Sequence, residues 1–313
     1  MEEQKIIELC GKYGIIPNNI EILRKERVLA KVNSDQKYFL KGEIADKAHW
    51  ENCCHYSRLL LESGLNVTQY LKSLDATYIV EFEDKVFSLE INLAGKPVEV
   101  LTDREITEIG RLLGIQHALS IKIPTPFNTA TSWSLFGGNL TDEIGNYDEN
   151  ELSFLDFKKH YEDQPLFSNI ESLYQEYRKS IYEIWGLLPQ GAVQGDFCYY
   201  NMLLEEDGSL AIYDFNLAGN EVYLNECIAV GVYHAWHAPY EGKLKEEERF
   251  QLFIDSYTRE RPFNVIEQAT FLQLKAIIRA FRYDRIEEGI SLKVENEQNL
   301  FLQNTLFILE NAR

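Results

Sequence analysis

The chain has 313 residues, 45% of them hydrophobic, with 31 Lys and Arg against 50 Asp and Glu for a formal net charge of −19. That length suits two domains, or one domain with two lobes, and it can bury a sizeable core. A surface this acidic repels nucleic acid and anionic lipid and attracts a cationic small molecule, and no uninterrupted apolar run of about 18 residues offers a membrane-spanning helix.

In chain order, MEEQKIIELCGKYG reads as an acidic, amphipathic helix closed by Gly14. A secretory signal would begin basic and continue apolar, so a cytoplasmic protein is expected. Residues 20–43 read as a hairpin: IEILRKERVLAKV, the polar turn NSDQ, then KYFLKGE. Residues 46–63 place Trp50, Cys53, Cys54, Leu60 and Leu61 at helical spacing, with Gly64 as the stop. ATYIVEFED and KVFSLEINL are short strands parted by a charged turn. AGKP at 94–97 marks a boundary between a small β-rich N-terminal lobe, 1–94, and a larger α-rich lobe, 95–313.

Beyond it, capping boxes at Thr102–Glu105 and Ser168–Glu171 each open a helix. Between them, residues 126–150 are rich in Asn, Thr, Ser and Gly, a long loop of the kind that carries function in compact domains. Helical patterns resume near residue 225 and run to the end. The five cysteines, at 10, 53, 54, 198 and 227, form no CxxC pair, so free thiols in a reducing compartment are expected. His234 and His237 have metal-ligand spacing, but no further Cys or His cluster supports them, so no zinc site is expected.

The chemistry concentrates at QGDFCYYN, residues 194–201, and YDFN, residues 213–216, with EEDGS between them. Asp207-Gly208 is a favoured two-residue hairpin turn. With those two residues in the turn, Asn201 and Asp214 stand directly opposite, Cβ atoms roughly 5 Å apart. An amide oxygen and a carboxylate so placed can hold one hard cation such as Mg2+. Asp196 precedes the first strand, and FCYY can fold it back toward the same site. A metal pair plus a carboxylate that accepts a hydroxyl proton is what phosphoryl transfer needs.

These two motifs resemble the HGDxxxxN and DxG/DxE motifs of aminoglycoside phosphotransferases and the choline-kinase-like small-molecule kinases. The resemblance implies an α+β, bilobal protein-kinase-like fold over nearly the whole chain. It also implies an ATP- or GTP-dependent phosphotransferase acting on a hydroxyl of a small molecule. By resemblance, Asp196 is catalytic, and Asn201 and Asp214 hold Mg2+ with the nucleotide phosphates. Lys41 resembles the strand lysine on the α- and β-phosphates, and Glu51 the helix acid that holds it, with Glu43 as a rival. Main-chain groups of Glu90, Ile91, Asn92 and Leu93 fall where the adenine hinge belongs. Gln194 stands where relatives carry His, Asn216 where they carry Gly or an acid, and residues 20–40 contain no glycine to cover the phosphates. Glu226 stands near the position of a structural Asp.

The net charge, with Asp142, Glu143 and Asp148 in the long loop, points to a cationic acceptor of aminoglycoside type. Alternatives are a housekeeping kinase of an amino alcohol or sugar, or a catalytically weak kinase-like binding or regulatory protein. The partner is a small molecule, with neither nucleic acid nor membrane.

Overall fold

The computed structural model describes residues 2–25, 27–131, 134–136 and 149–312. The chain forms two compact units, Met1–Glu99 with Tyr200–Asn216, and Val100–Tyr199 with Leu217–Arg313. Asp142, Glu143 and Asp148 lie outside the described residues. Among the described residues no helix is long and apolar enough to cross a membrane.

The first unit opens with α1 (Glu3–Lys12), whose Ile6, Leu9 and Cys10 are buried. It packs on an antiparallel sheet of β1 (Asn19–Arg24), β2 (Val28–Asn33), β3 (Lys37–Glu43), β4 (Val80–Phe82) and β5 (Lys85–Ile91). Their order in the sheet is β1-β2-β3-β5-β4. One face of this sheet is apolar by simple alternation: Val28, Ala30, Val32, Tyr38, Leu40, Phe87 and Leu89 join α1 in one core. The opposite face carries Lys41 and Glu90. Phe39 pairs with Glu90 and Lys41 with Ser88, so Lys41 and Glu90 are diagonal neighbours on that face.

The expected single strand IEILRKERVLAKV is two strands, and residues 20–43 make three strands in place of a two-stranded hairpin. The break falls at the charged run Arg24–Arg27, which has no apolar side chain to bury, and a register shift between Ile22 and Arg24 precedes it. Helix α2 (Lys47–Glu62) begins as expected, with Asp46 Oδ1 accepting the His49 N–H at 2.6 Å.

A second, small sheet in this unit joins β6 (Lys96–Pro97), β8 (Met202–Leu204) and β9 (Leu210–Ile212). Its hairpin is one residue out of step with the expected register. Met202 pairs with Ile212 and Leu204 with Leu210, and Tyr213 N–H donates to Asn201 O at 3.0 Å. Asn201 therefore faces Tyr213, not Asp214. The loop holds three residues, closed by Glu205 N–H to Ser209 O at 2.9 Å. Gly208 takes φ +84°, the left-handed last position of a three-residue hairpin loop. Asp207 Oδ1 accepts Ser209 N–H at 2.8 Å and fixes that form.

The second unit is helical: α3 (Asp103–Ser120), α4 (Glu149–Tyr161), α5 (Phe167–Ile184), α6 (Tyr223–Trp236), α7 (Glu246–Glu260), α8 (Val265–Ala280), α9 (Tyr283–Ser291) and α10 (Glu295–Glu310), with β7 (Gln190–Val193) paired to β10 (Gly219–Val222). The capping box of Thr102 and Glu105 is present. The one expected at Ser168 is not, because α5 starts at Phe167 and puts Ser168 inside its first turn. Helix α4, with Phe154, Phe157 and Tyr161 buried, was not anticipated.

Candidate functional site

In the first unit, Lys41 Nζ lies 2.9 Å from Glu90 Oε1 and 3.4 Å from Asp214 Oδ1. Glu90 is 3% exposed, and its second oxygen accepts from Thr68 Oγ1 at 3.0 Å. Burial works against the Lys41 charge, but the Glu90 and Asp214 carboxylates outweigh it and raise its pKa. Burial in turn pushes Glu90 up, against the pull of Lys41.

The expected partnership of Lys41 with Glu51 is corrected. Glu51 accepts from Tyr78 N–H at 2.9 Å and from Ile79 N–H at 2.9 Å. Its carboxylate thus ties α2 to the segment leading into β4. The rival, Glu43, lies 3.8 Å from Arg27 Nε. The carboxylate on the lysine comes from β5, at a position expected to act through its main chain alone.

Two cavities meet at Leu29, Lys41 and Glu90. The larger, about 430 Å3, is lined by Ile91, Asn92 and Leu93 at the end of β5, with Leu203 and Tyr213. The smaller, about 140 Å3, is lined by Arg24, Arg27, Asp214 and Asn216. Asp214 has φ +65°, a left-handed conformation that a non-glycine residue holds only when its surroundings demand it. Its side chain is 33% exposed. Asn201 is buried beside Tyr213, the residue before Asp214.

Asp196 belongs to the second unit, in a loop fastened at several points. Its N–H donates to Gln194 Oε1 at 2.7 Å, so the Gln at the usual His position buttresses the loop. Its carbonyl accepts Cys198 N–H at 2.8 Å. Gly195 has φ +81°, and a Cβ there would collide with the Leu217 carbonyl. Two residues of α6, eight apart on one face, hold the loop from behind. Glu226 Oε1 accepts Gly195 N–H at 2.9 Å, and His234 Nε2 accepts Tyr199 N–H at 3.1 Å while its Nδ1 donates to Val230 O at 2.8 Å. Both nitrogens of His234 are thereby engaged within the protein. Glu226 Oε2 is also 2.6 Å from His117 Nε2. Burial pushes Glu226 up to about 8 and His234 down to about 4.

The sequence reading missed the Glu90 side chain and His234. Strand alternation was the available signal for the first, since Glu90 shares its face with Lys41. For His234 the sequence signal was the HxxH spacing with His237, which pointed to metal ligation and not to a hydrogen bond on the Asp196 loop.

No protein-family model matches the chain, and no curated protein matches it. Solved structures do. An amicoumacin kinase in complex with AMP-PNP and Ca2+ is 12% identical, with a TM-score of 0.62 over 99% of this chain and 94% of that one. A microcompartment-associated aminopropanol kinase is 12% identical, with a TM-score of 0.63 over 99% of this chain and 95% of that one. A spectinomycin phosphotransferase in complex with ADP and spectinomycin is 15% identical, with a TM-score of 0.56 over 100% of this chain and 98% of that one. The chain has the bilobal, protein-kinase-like fold of these small-molecule kinases and phosphotransferases.

Proposed function

We propose that the protein is a Mg2+- and nucleotide-dependent phosphotransferase that phosphorylates a hydroxyl of a small, cationic molecule. The observation that carries this reading is the pair of cavities meeting at Lys41 and Glu90. One offers strand-end main chain and apolar walls to a purine. The other offers cations and the Asp214 carboxylate to phosphates. ATP or GTP is the donor. The amide of Asn201 and the carboxylate of Asp214 are hard oxygen donors, a set that suits Mg2+ completed by phosphate oxygens and water. When bound, the ion neutralises phosphate charge. Lys41 steadies the phosphates, and Asp196 orients the acceptor hydroxyl and takes its proton. Positioning and charge supply most of the rate, because phosphoryl transfer asks little covalent chemistry of the protein.

The acceptors named for the structural neighbours, amicoumacin, spectinomycin and aminopropanol, support a small-molecule acceptor. Asp142, Glu143 and Asp148 remain the proposed contacts for its cationic groups. Five free cysteines suit a reducing compartment, and the reading places the enzyme in the cytoplasm.

The test separates the two carboxylates. In Asp196→Ala, turnover against a panel of aminoglycosides, amino alcohols and sugars should fall about 1000-fold or more, while calorimetric affinity for Mg·AMP-PNP changes less than about twofold. In Asp214→Ala, Mg-dependent nucleotide affinity itself should fall about tenfold or more. Equal nucleotide affinity in the two variants would defeat the assignment. Nucleotide binding with no turnover on any acceptor would leave a kinase-like binding protein.

A further inference from the structure

We infer that Arg24 and Arg27, at the β1–β2 turn, clamp the outer phosphates of the nucleotide with their guanidinium groups. This rests on the phosphotransferase reading above and deepens it. A loop that cradles phosphate through its own N–H groups needs glycine, because left-handed backbone and the absence of side chains let the chain approach the anion. Residues 20–40 hold no glycine, so this turn is ill suited to that approach. What it offers is charge. Arg24 and Arg27 both line the cavity that holds Lys41 and Asp214.

The charges around this cavity leave the arginines available. Lys41 is engaged by Glu90 and Asp214 at 2.9 and 3.4 Å. Among the described residues Arg27 meets only Glu43, at 3.8 Å, beyond hydrogen-bond reach, and its side chain is 82% exposed. Among the described residues Arg24 makes no ion pair. The fork of a guanidinium matches two phosphate oxygens at once, which an ammonium does not. Side chains projecting from the turn can thus do what main-chain groups do in a glycine loop. The competing role is protective: β1 is an edge of its sheet, and charge on an edge strand discourages pairing with other chains. That role has no bearing on nucleotide affinity.

Isothermal titration with Mg·AMP-PNP and with AMP decides between them, on the wild type, Arg24→Ala/Arg27→Ala and Arg24→Lys/Arg27→Lys. The double alanine variant should bind Mg·AMP-PNP about 10- to 100-fold more weakly, while AMP affinity changes less than about twofold. The double lysine variant should fall between it and the wild type, since it keeps the charge and loses the fork. Raised salt should weaken Mg·AMP-PNP binding more in the wild type than in the alanine variant. Unchanged Mg·AMP-PNP affinity in the alanine variant, or equal losses for AMP and AMP-PNP, overturns the clamp and leaves the phosphotransferase reading standing. A wild type that binds no nucleotide overturns both.

Discussion

Lys41 is held from within its own sheet. In the first unit its close carboxylates are Glu90, on the neighbouring strand, and Asp214, whereas Glu51 on α2 is occupied with the main chain of Tyr78 and Ile79. The two glutamates should therefore fail in different assays. Glu90→Gln removes the charge that holds Lys41 back from Asp214. The lysine should then compete with Mg2+ for that carboxylate, and the nucleotide KM should rise about 10-fold or more with a smaller change in melting temperature. Glu51→Gln replaces an acceptor of main-chain N–H groups with a group that has one fewer oxygen. It should cost about 1–3 kcal/mol of stability, a shift of a few degrees in Tm, and leave the nucleotide KM within about twofold. Steady-state kinetics beside thermal denaturation reads both, and the reverse pattern would restore Glu51 as the lysine's partner. The sequence offered Glu51, with Glu43 as its rival, and gave Glu90 a main-chain role alone. The choice of Glu90 depends on β5 lying beside β3, a pairing across some 50 residues that local pattern does not encode.

Helix α6 acts as a backboard for the Asp196 loop. Glu226 and His234 project from one face and accept N–H groups on either side of Asp196. Burial raises Glu226 to about 8, so the folded state holds a proton there that the unfolded chain gives up near its ordinary value of 4.5. Stability from this source is full below pH about 4.5 and is lost as pH rises through about 8. His234 runs the other way. Its folded value of about 4 means stability present above about 6.5 and lost as pH falls toward 4. His117, against Glu226, is also lowered by burial, and Glu221 rises to about 7. Between pH 6.5 and 8.5 the wild type should accordingly lose more Tm than Glu226→Gln, which keeps an acceptor for Gly195 and has no proton to release. Differential scanning calorimetry at half-unit pH steps checks this, and parallel curves would remove Glu226 as the titrating group. At this scale the sequence was readable where signals are local. The capping box at Thr102 and the helix over 47–62 follow from side chains bonding their own backbone. The strand break at Arg24–Arg27 and the three-residue loop at Glu206–Gly208 were not, since an Asp-Gly pair serves two loop lengths and ladder closure chooses between them.

Across the whole chain, the charge of −19 sets an expectation for the acceptor. Arg282 lines a small cavity with Asp196, and Asp284 Oδ2 sits 3.0 Å from its Nε. A cationic acceptor drawn by carboxylates should show a KM that rises severalfold as salt goes from about 0.05 to 0.5 M, with kcat nearly constant, because the Debye length shrinks from above 10 Å to a few ångströms. A neutral sugar as best substrate, with KM indifferent to salt, would refute this. The sequence by itself singled out the candidate residues. Asp196, Asn201 and Asp214 stand out as candidates because motif spacing and turn residues are short-range signals, although the register that would oppose Asn201 to Asp214 was not among them. It likewise determined the order of a β-rich part followed by helices. Only the tertiary structure decided which acid meets Lys41, which residues hold the Asp196 loop and which arginines face the Asp214 cavity. Those depend on pairings between distant segments, and the three-residue loop at 206–208 sets Asn201 opposite Tyr213.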